Sequence, residues 1–109
     1  MYGDLETMEG YWKRLEYTRV TADKKVCNRH CFLYAAHLVA STVGAATAVI
    51  RDGHDTGGEA VIDLAALTSS NDPRRFDPPI YFKKGLYVDI GDNVTAVLVH
   101  FMPAREKVE

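Results

Sequence analysis

The stretch Arg74–Phe101, RRFDPPIYFKKGLYVDIGDNVTAVLVHF, decides how the chain is read. From Leu86 onward apolar and polar residues alternate. Leu86, Val88 and Ile90 share one face of an extended segment, while Tyr87 and Asp89 share the other. After the turn signal Gly91–Asn93, Val97, Val99 and Phe101 repeat the pattern, with Ala96, Leu98 and His100 opposite. Ile80–Phe82 reads as a short strand, in which one of Tyr81 and Phe82 faces out if the other is core. Lys83–Gly85 reads as a turn or bulge, with Gly85 free to take positive φ. The lysines and aspartates here sit at turn and outward positions, so the stretch is a β scaffold and not a catalytic segment.

The same grammar extends towards the N-terminus. Thr68–Pro79 is a polar connection whose Pro73, Pro78 and Pro79 exclude a helix and a central strand. Ala46–Arg51 and Glu59–Leu64 are β-rich runs, joined through DGHDTGG as a hairpin with a loop of roughly six residues. Cys31–Ser41 is apolar almost throughout and fits a central, largely buried strand, although its alanines and leucine would also suit a buried helix. Strands spaced in this way, punctuated by Gly, Asx and Pro, predict an all-β, antiparallel β-sandwich of jelly-roll-like form. The expected organisation is an N-terminal arm and first strand over 1–28, the sandwich over 29–103 and a charged tail over 104–109.

Composition bounds the function. The chain has 109 residues, 47% of them apolar and 26% charged, with a net charge of -2. These values suit one globular domain and argue against a nucleic-acid surface, which carries a basic excess. There is no apolar run long enough for a helical membrane span. The acidic opening MYGDLETMEG lacks the pattern of a signal peptide, so cytoplasmic synthesis is expected.

The candidate sites are few. Cys27 and Cys31 in CNRHC lack the second ligand pair of a structural zinc site. Placed four apart on one strand they would lie about 13 Å from each other, beyond disulfide reach. Free structural thiols are expected. His37 and His100 fall inside apolar strands, where hydrogen-bonded core or interface histidines are expected. With Asp52 they could form a small metal-dependent centre, but nothing places a nucleophile beside them. The polar run Arg51–Glu59 has the wrong ligand spacing for an EF-hand and reads as a turn. No P-loop, dinucleotide fingerprint or nucleophile elbow occurs. No catalytic residue, cofactor or metal ligand is assigned, and the chain is read as non-enzymatic. The remaining candidates are aromatic: Tyr11, Trp12 and Tyr17 in the arm, and Tyr81 and Tyr87 in the opening stretch, all as protein contacts. Tyr81, Tyr87 and Trp12 could alternatively form sugar-stacking platforms of an adhesin module.

Phe32–Phe101, about two-thirds of the chain, resembles a group of small β-sandwich proteins of tailed bacteriophages and prophages. The resemblance rests on HLVAS (37–41), ATAVIRDG (46–53), TGG (56–58), AVIDLAAL, the spaced pattern F-x-P-P-I-x-F-x-x-G-L-Y-V-D-I (76–90) and VTAVLVHF. It implies a virion structural protein without cofactor. Such a protein forms a homo-oligomer, a trimer or a ring, and docks on a major capsid or tail protein as a decoration or stabilising component. Neck, tail or fibre-attachment parts are the alternative within the group.

Overall fold

The computed structural model describes residues 15–103. Eight strands account for most of them: β1 (Glu16–Val20), β2 (Lys24–Cys27), β3 (Cys31–Ala40), β4 (Ala46–Asp52), β5 (Glu59–Ala66), β6 (Asn71–Phe82), β7 (Leu86–Ile90) and β8 (Val94–Pro103). They form two four-stranded antiparallel sheets, ordered β1-β8-β3-β6 and β2-β7-β4-β5. Only the β4–β5 hairpin stays within one sheet; every other connection crosses to the opposite layer. This winding is a jelly roll, a double-sheet answer to the problem of exposed sheet edges. Two of its strands, β1 and β2, come from the stretch 1–28, where an arm and one strand were expected. Tyr11 and Trp12 lie outside the described residues.

Period-two patterning builds the core. In β7 and β8 the inward residues are those the alternation selects: Leu86 and Val88, then Val97, Val99 and Phe101. Strand β3 explains how an almost wholly apolar segment can serve two faces. Cys31 and Leu33 point inward, the register then shifts between Leu33 and Ala35, and Ala36, Leu38 and Ala40 resume the inward set. Phe32, His37 and Val39 are therefore turned to the outside of the sheet. Burying a side chain such as Leu33 or Leu38 contributes about 1.5–3 kcal/mol.

The polar connection expected over Thr68–Pro79 is instead mostly strand. Residues from Asn71 onward belong to β6, which runs to Phe82 at a sheet edge. An edge strand needs ladder hydrogen bonds on one side only, so proline is tolerated there. Between Arg75 and Ile80 the register against β3 jumps, and Pro78 and Pro79 sit in that interruption beside a cis Asp77–Pro78 bond.

The free edge of β5 is covered by side chains of β6. Asp72 Oδ2 accepts the Ala65 N–H at 3.1 Å, and Arg74 Nη2 donates to the Asp63 carbonyl at 3.4 Å. Arg74 is itself held by Asp72 at 2.8 Å. Burial opposes the Asp72 charge, but Arg74, the Ala65 N–H and His37 outweigh it and lower the carboxyl below its ordinary value. Charged groups placed in this way occupy backbone positions through which a neighbouring strand could otherwise add.

Candidate functional site

The two outer faces of the sandwich differ in chemistry. The outside of β2-β7-β4-β5 mixes charged residues with small apolar ones: Arg51, Asp63 and Asp89 stand beside Val49, Val61 and Ala65. Arg51 donates to Asp89 at 3.0 Å and to the Gly58 carbonyl at 3.2 Å. Tyr87 lies in this field. Partial burial, then the carboxylates of Asp23, Asp89 and Asp55, raise its phenol above the ordinary value.

The outside of β1-β8-β3-β6 is aromatic and apolar. Register lines it up in rows: Met102, Phe32 and Tyr81 across β8, β3 and β6; Tyr17, His100, Ala35 and Arg75 across all four strands; then Arg19, Leu98, His37 and Pro73. Ring pairs form within the rows, with centroids 5.2 Å apart for Phe32–Tyr81 and 6.2 Å for Tyr17–His100, and His30 of the crossover adds a third pair at 6.1 Å from Tyr81. These are aromatic contact distances. Tyr17 is 73% exposed and Tyr81 47%. Where β6 departs from β3, the same face holds an open cavity of about 410 Å³ lined by Leu15, Tyr34, Phe76, Pro79 and His100.

The structure thus separates the aromatic candidates. Tyr17 and Tyr81 share one face; Tyr87 is on the other, so Tyr81 and Tyr87 cannot form a single sugar-stacking platform. Phe82 is fully buried and Tyr81 faces out.

The histidines also divide. His37 and His100 lie on neighbouring strands of the aromatic face, offset diagonally, since His37 opposes Leu98 and His100 opposes Ala35. Asp52 belongs to the other sheet, so the metal-dependent grouping of His37, His100 and Asp52 is not assembled. No group of three or more His, Cys, Asp or Glu side chains converges as metal ligands among the described residues. Hydrogen-bonded histidines were the expectation for these strands, yet the Nε2 atom of His37, like that of His30, is buried and meets no hydrogen-bond partner among the described residues.

The polar run after β4 is a fold lock. Asp52 accepts the backbone N–H groups of Lys83 at 3.1 Å and Lys84 at 2.9 Å. Burial works against its charge, but the Lys84, Lys83 and Gly85 N–H groups prevail and hold the carboxyl below its ordinary value. His54 Nε2 lies 2.9 Å from the Asn28 carbonyl and 2.8 Å from that of Lys84. Carbonyls only accept, so this nitrogen carries a proton and donates to both. Three loops are tied together at this end of the sandwich. Gly85 sits among them without positive φ, contrary to the sequence expectation. Its glycine is required by space: a Cβ would lie 2.7 Å from the Cys27 carbonyl oxygen and 2.9 Å from His54.

Cys27 and Cys31 correct a second expectation. Both are free and buried, but they are not on one strand. The chain crosses between sheets over residues 28–30, and the two side chains join the same core cluster from opposite sheets. The 13 Å separation assumed a continuous extended segment.

No protein-family model matches the chain, and no curated protein is significantly similar to it.

Proposed function

We propose that the protein is a non-enzymatic virion structural protein that self-associates and docks on a capsid surface through the outside of the β1-β8-β3-β6 sheet. The observation that carries this reading is the asymmetry of the two outer faces. One presents the Arg51–Asp89 ion pair and the Asp63 carboxylate beside small apolar side chains and carries Tyr87 as its one large aromatic among the described residues. The other presents Tyr17, Phe32, Tyr34, Leu98 and Tyr81, and among them the buried His37 Nε2, which meets no hydrogen-bond partner among the described residues. A contiguous apolar face rimmed by polar residues is the usual signature of a protein contact. A partner carrying a hydrogen-bond acceptor or donor opposite His37 would satisfy a group that meets none among the described residues. The Phe32–Phe101 resemblance to small phage sandwiches supplies the virion setting. The nearly balanced charge suits protein packing better than contact with packaged DNA.

The test is light scattering on the full chain at virion-like salt, followed by co-sedimentation with purified capsids. A closed oligomer that sediments with capsids supports the proposal. Sedimentation with tails alone moves the docking site to a neck or tail component. A strict monomer that binds neither overturns it.

A further inference from the structure

Cys27 and Cys31 are the one pair of reactive groups that the docking reading leaves unused, and their placement is specific. Cys27 ends β2 opposite Leu86, and Cys31 begins β3 opposite Phe82. Leu86 and Phe82 bracket the adjacent crossover at residues 83–85, so the two crossovers run side by side between the same layers. Both cysteines face inward from opposite sheets into one core cluster, and Cys27 is close enough to Cys31 to raise its thiol. Access is unequal. Cys31 is fully buried, whereas Cys27 is 9% exposed and lines an open cavity of about 410 Å³ with Val26, Asn28 and His30.

We propose that Cys27 and Cys31 form a reversible disulfide that staples the two sheets together at the β2–β3 crossover, with Cys27 as the entry thiol and a small-molecule disulfide such as oxidised glutathione as the oxidant. The Cys27 thiolate attacks one sulfur of the oxidant and releases one glutathione thiolate, leaving a mixed disulfide on Cys27. Cys31 gives up its proton, attacks the Cys27 sulfur and releases the second glutathione thiolate. Two protein thiols are oxidised by two electrons, one small disulfide is reduced to two thiols, and the two protons pass to the leaving thiolates. Closure draws the sulfurs together to a bond of about 2.0 Å. Asn28 and Arg29 in the crossover are exposed, and this segment absorbs the movement. Burial, the adjacent Cys27 and the Asp52 carboxylate keep the Cys31 thiol protonated well above its ordinary range, which makes the second step slow and faster in alkali. The pair stays reduced in a thiol-rich compartment and closes in an oxidising one. This inference is independent of what the protein docks on.

The experiment treats the folded full chain with oxidised glutathione at mildly alkaline pH and reads intact mass, tryptic peptides and the melting temperature. Trypsin cuts after Lys25 and Arg29, so the two cysteines fall on separate peptides that stay joined only through the bond. The expected result is loss of two hydrogens with no glutathione retained and a linked peptide pair. The melting temperature should rise by roughly 8 °C, and all of these changes should reverse with dithiothreitol. Cys31→Ser should stop at a glutathione adduct on Cys27, and Cys27→Ser should take none. A wild-type chain that keeps a stable adduct on Cys27, retains both thiols while folded, or links to a second chain overturns the proposal.

Discussion

Asp52 offers the most direct test of how the loop end is held. Its carboxylate accepts the Lys83 N–H at 3.1 Å and the Lys84 N–H at 2.9 Å. Hydrogen bonds to a charged group contribute about 1.5–3 kcal/mol each when well buried. The site is half-open to solvent, so about 1–1.5 kcal/mol each is the appropriate scale, and Asp52→Ala should cost about 2–3 kcal/mol. For a domain of this size that lowers the melting temperature by roughly 8–12 °C. Asp52→Asn keeps one acceptor oxygen but turns an NH₂ towards the donors, so it should recover less than half of the loss. The pH dependence gives an independent check. The folded carboxyl lies below its ordinary value of about 4. Its contribution is therefore complete above the unfolded value and is lost as pH falls through the folded one. Asp72 titrates similarly in both proteins, so the difference between wild type and Asp52→Ala isolates Asp52. Thermal melts followed by circular dichroism should show a constant gap from about pH 8 to pH 5 that narrows as the pH falls below the ordinary carboxylate value. A gap of only a degree or two at pH 7, or one that persists unchanged into acid, would refute the reasoning.

Two further substitutions probe the packing around the same architecture. Gly85→Ala places a Cβ at 2.7 Å from the Cys27 carbonyl oxygen and 2.9 Å from His54 Cδ2. Overpacking of this kind costs about 1–3 kcal/mol, so a fall of several degrees is expected in a melt, and wild-type melting would show that the loops yield freely. Asp72→Ala removes the acceptor of the Ala65 N–H and frees Arg74. It should cost about 1 kcal/mol and raise concentration-dependent light scattering as the β5 edge is uncovered; an unchanged scattering curve would count against the edge-protection account.

What could be read in advance was the part written in short-range periodicity. Leu86–Ile90 and Val94–Phe101 alternate cleanly, and their inward residues are the core residues of the folded chain. The prolines of β6 excluded a central strand correctly but concealed an edge strand, because the N–H groups they lack are ones an edge need not spend on a partner. Gly85 was identifiable as special but not why: its neighbours, the Cys27 carbonyl and His54, are 58 and 31 residues away along the chain. The cysteine pair failed for the same reason. Spacing in a sequence becomes distance only if the strand continues, and here it crosses to the other layer. Tyr81 and Tyr87 also show the limit of alternation. It makes each of them outward-facing, but which outer face each occupies depends on the sheet its strand joins, and that is set by long-range pairing.

The central claim is that the aromatic outer face is the surface through which the protein assembles. The measurement that tests it most directly is light scattering and capsid co-sedimentation on Tyr17→Glu/Tyr81→Glu beside Tyr87→Glu, which alters the opposite face. Each of these side chains points away from the core, but a glutamate at position 87 meets the carboxylates of Asp23, Asp55 and Asp89, so circular dichroism first establishes that each variant is folded. The account predicts that the double substitution yields monomers that no longer sediment with capsids, while Tyr87→Glu assembles and sediments like wild type. Unimpaired assembly of the double variant, or loss of assembly only in Tyr87→Glu, would contradict it.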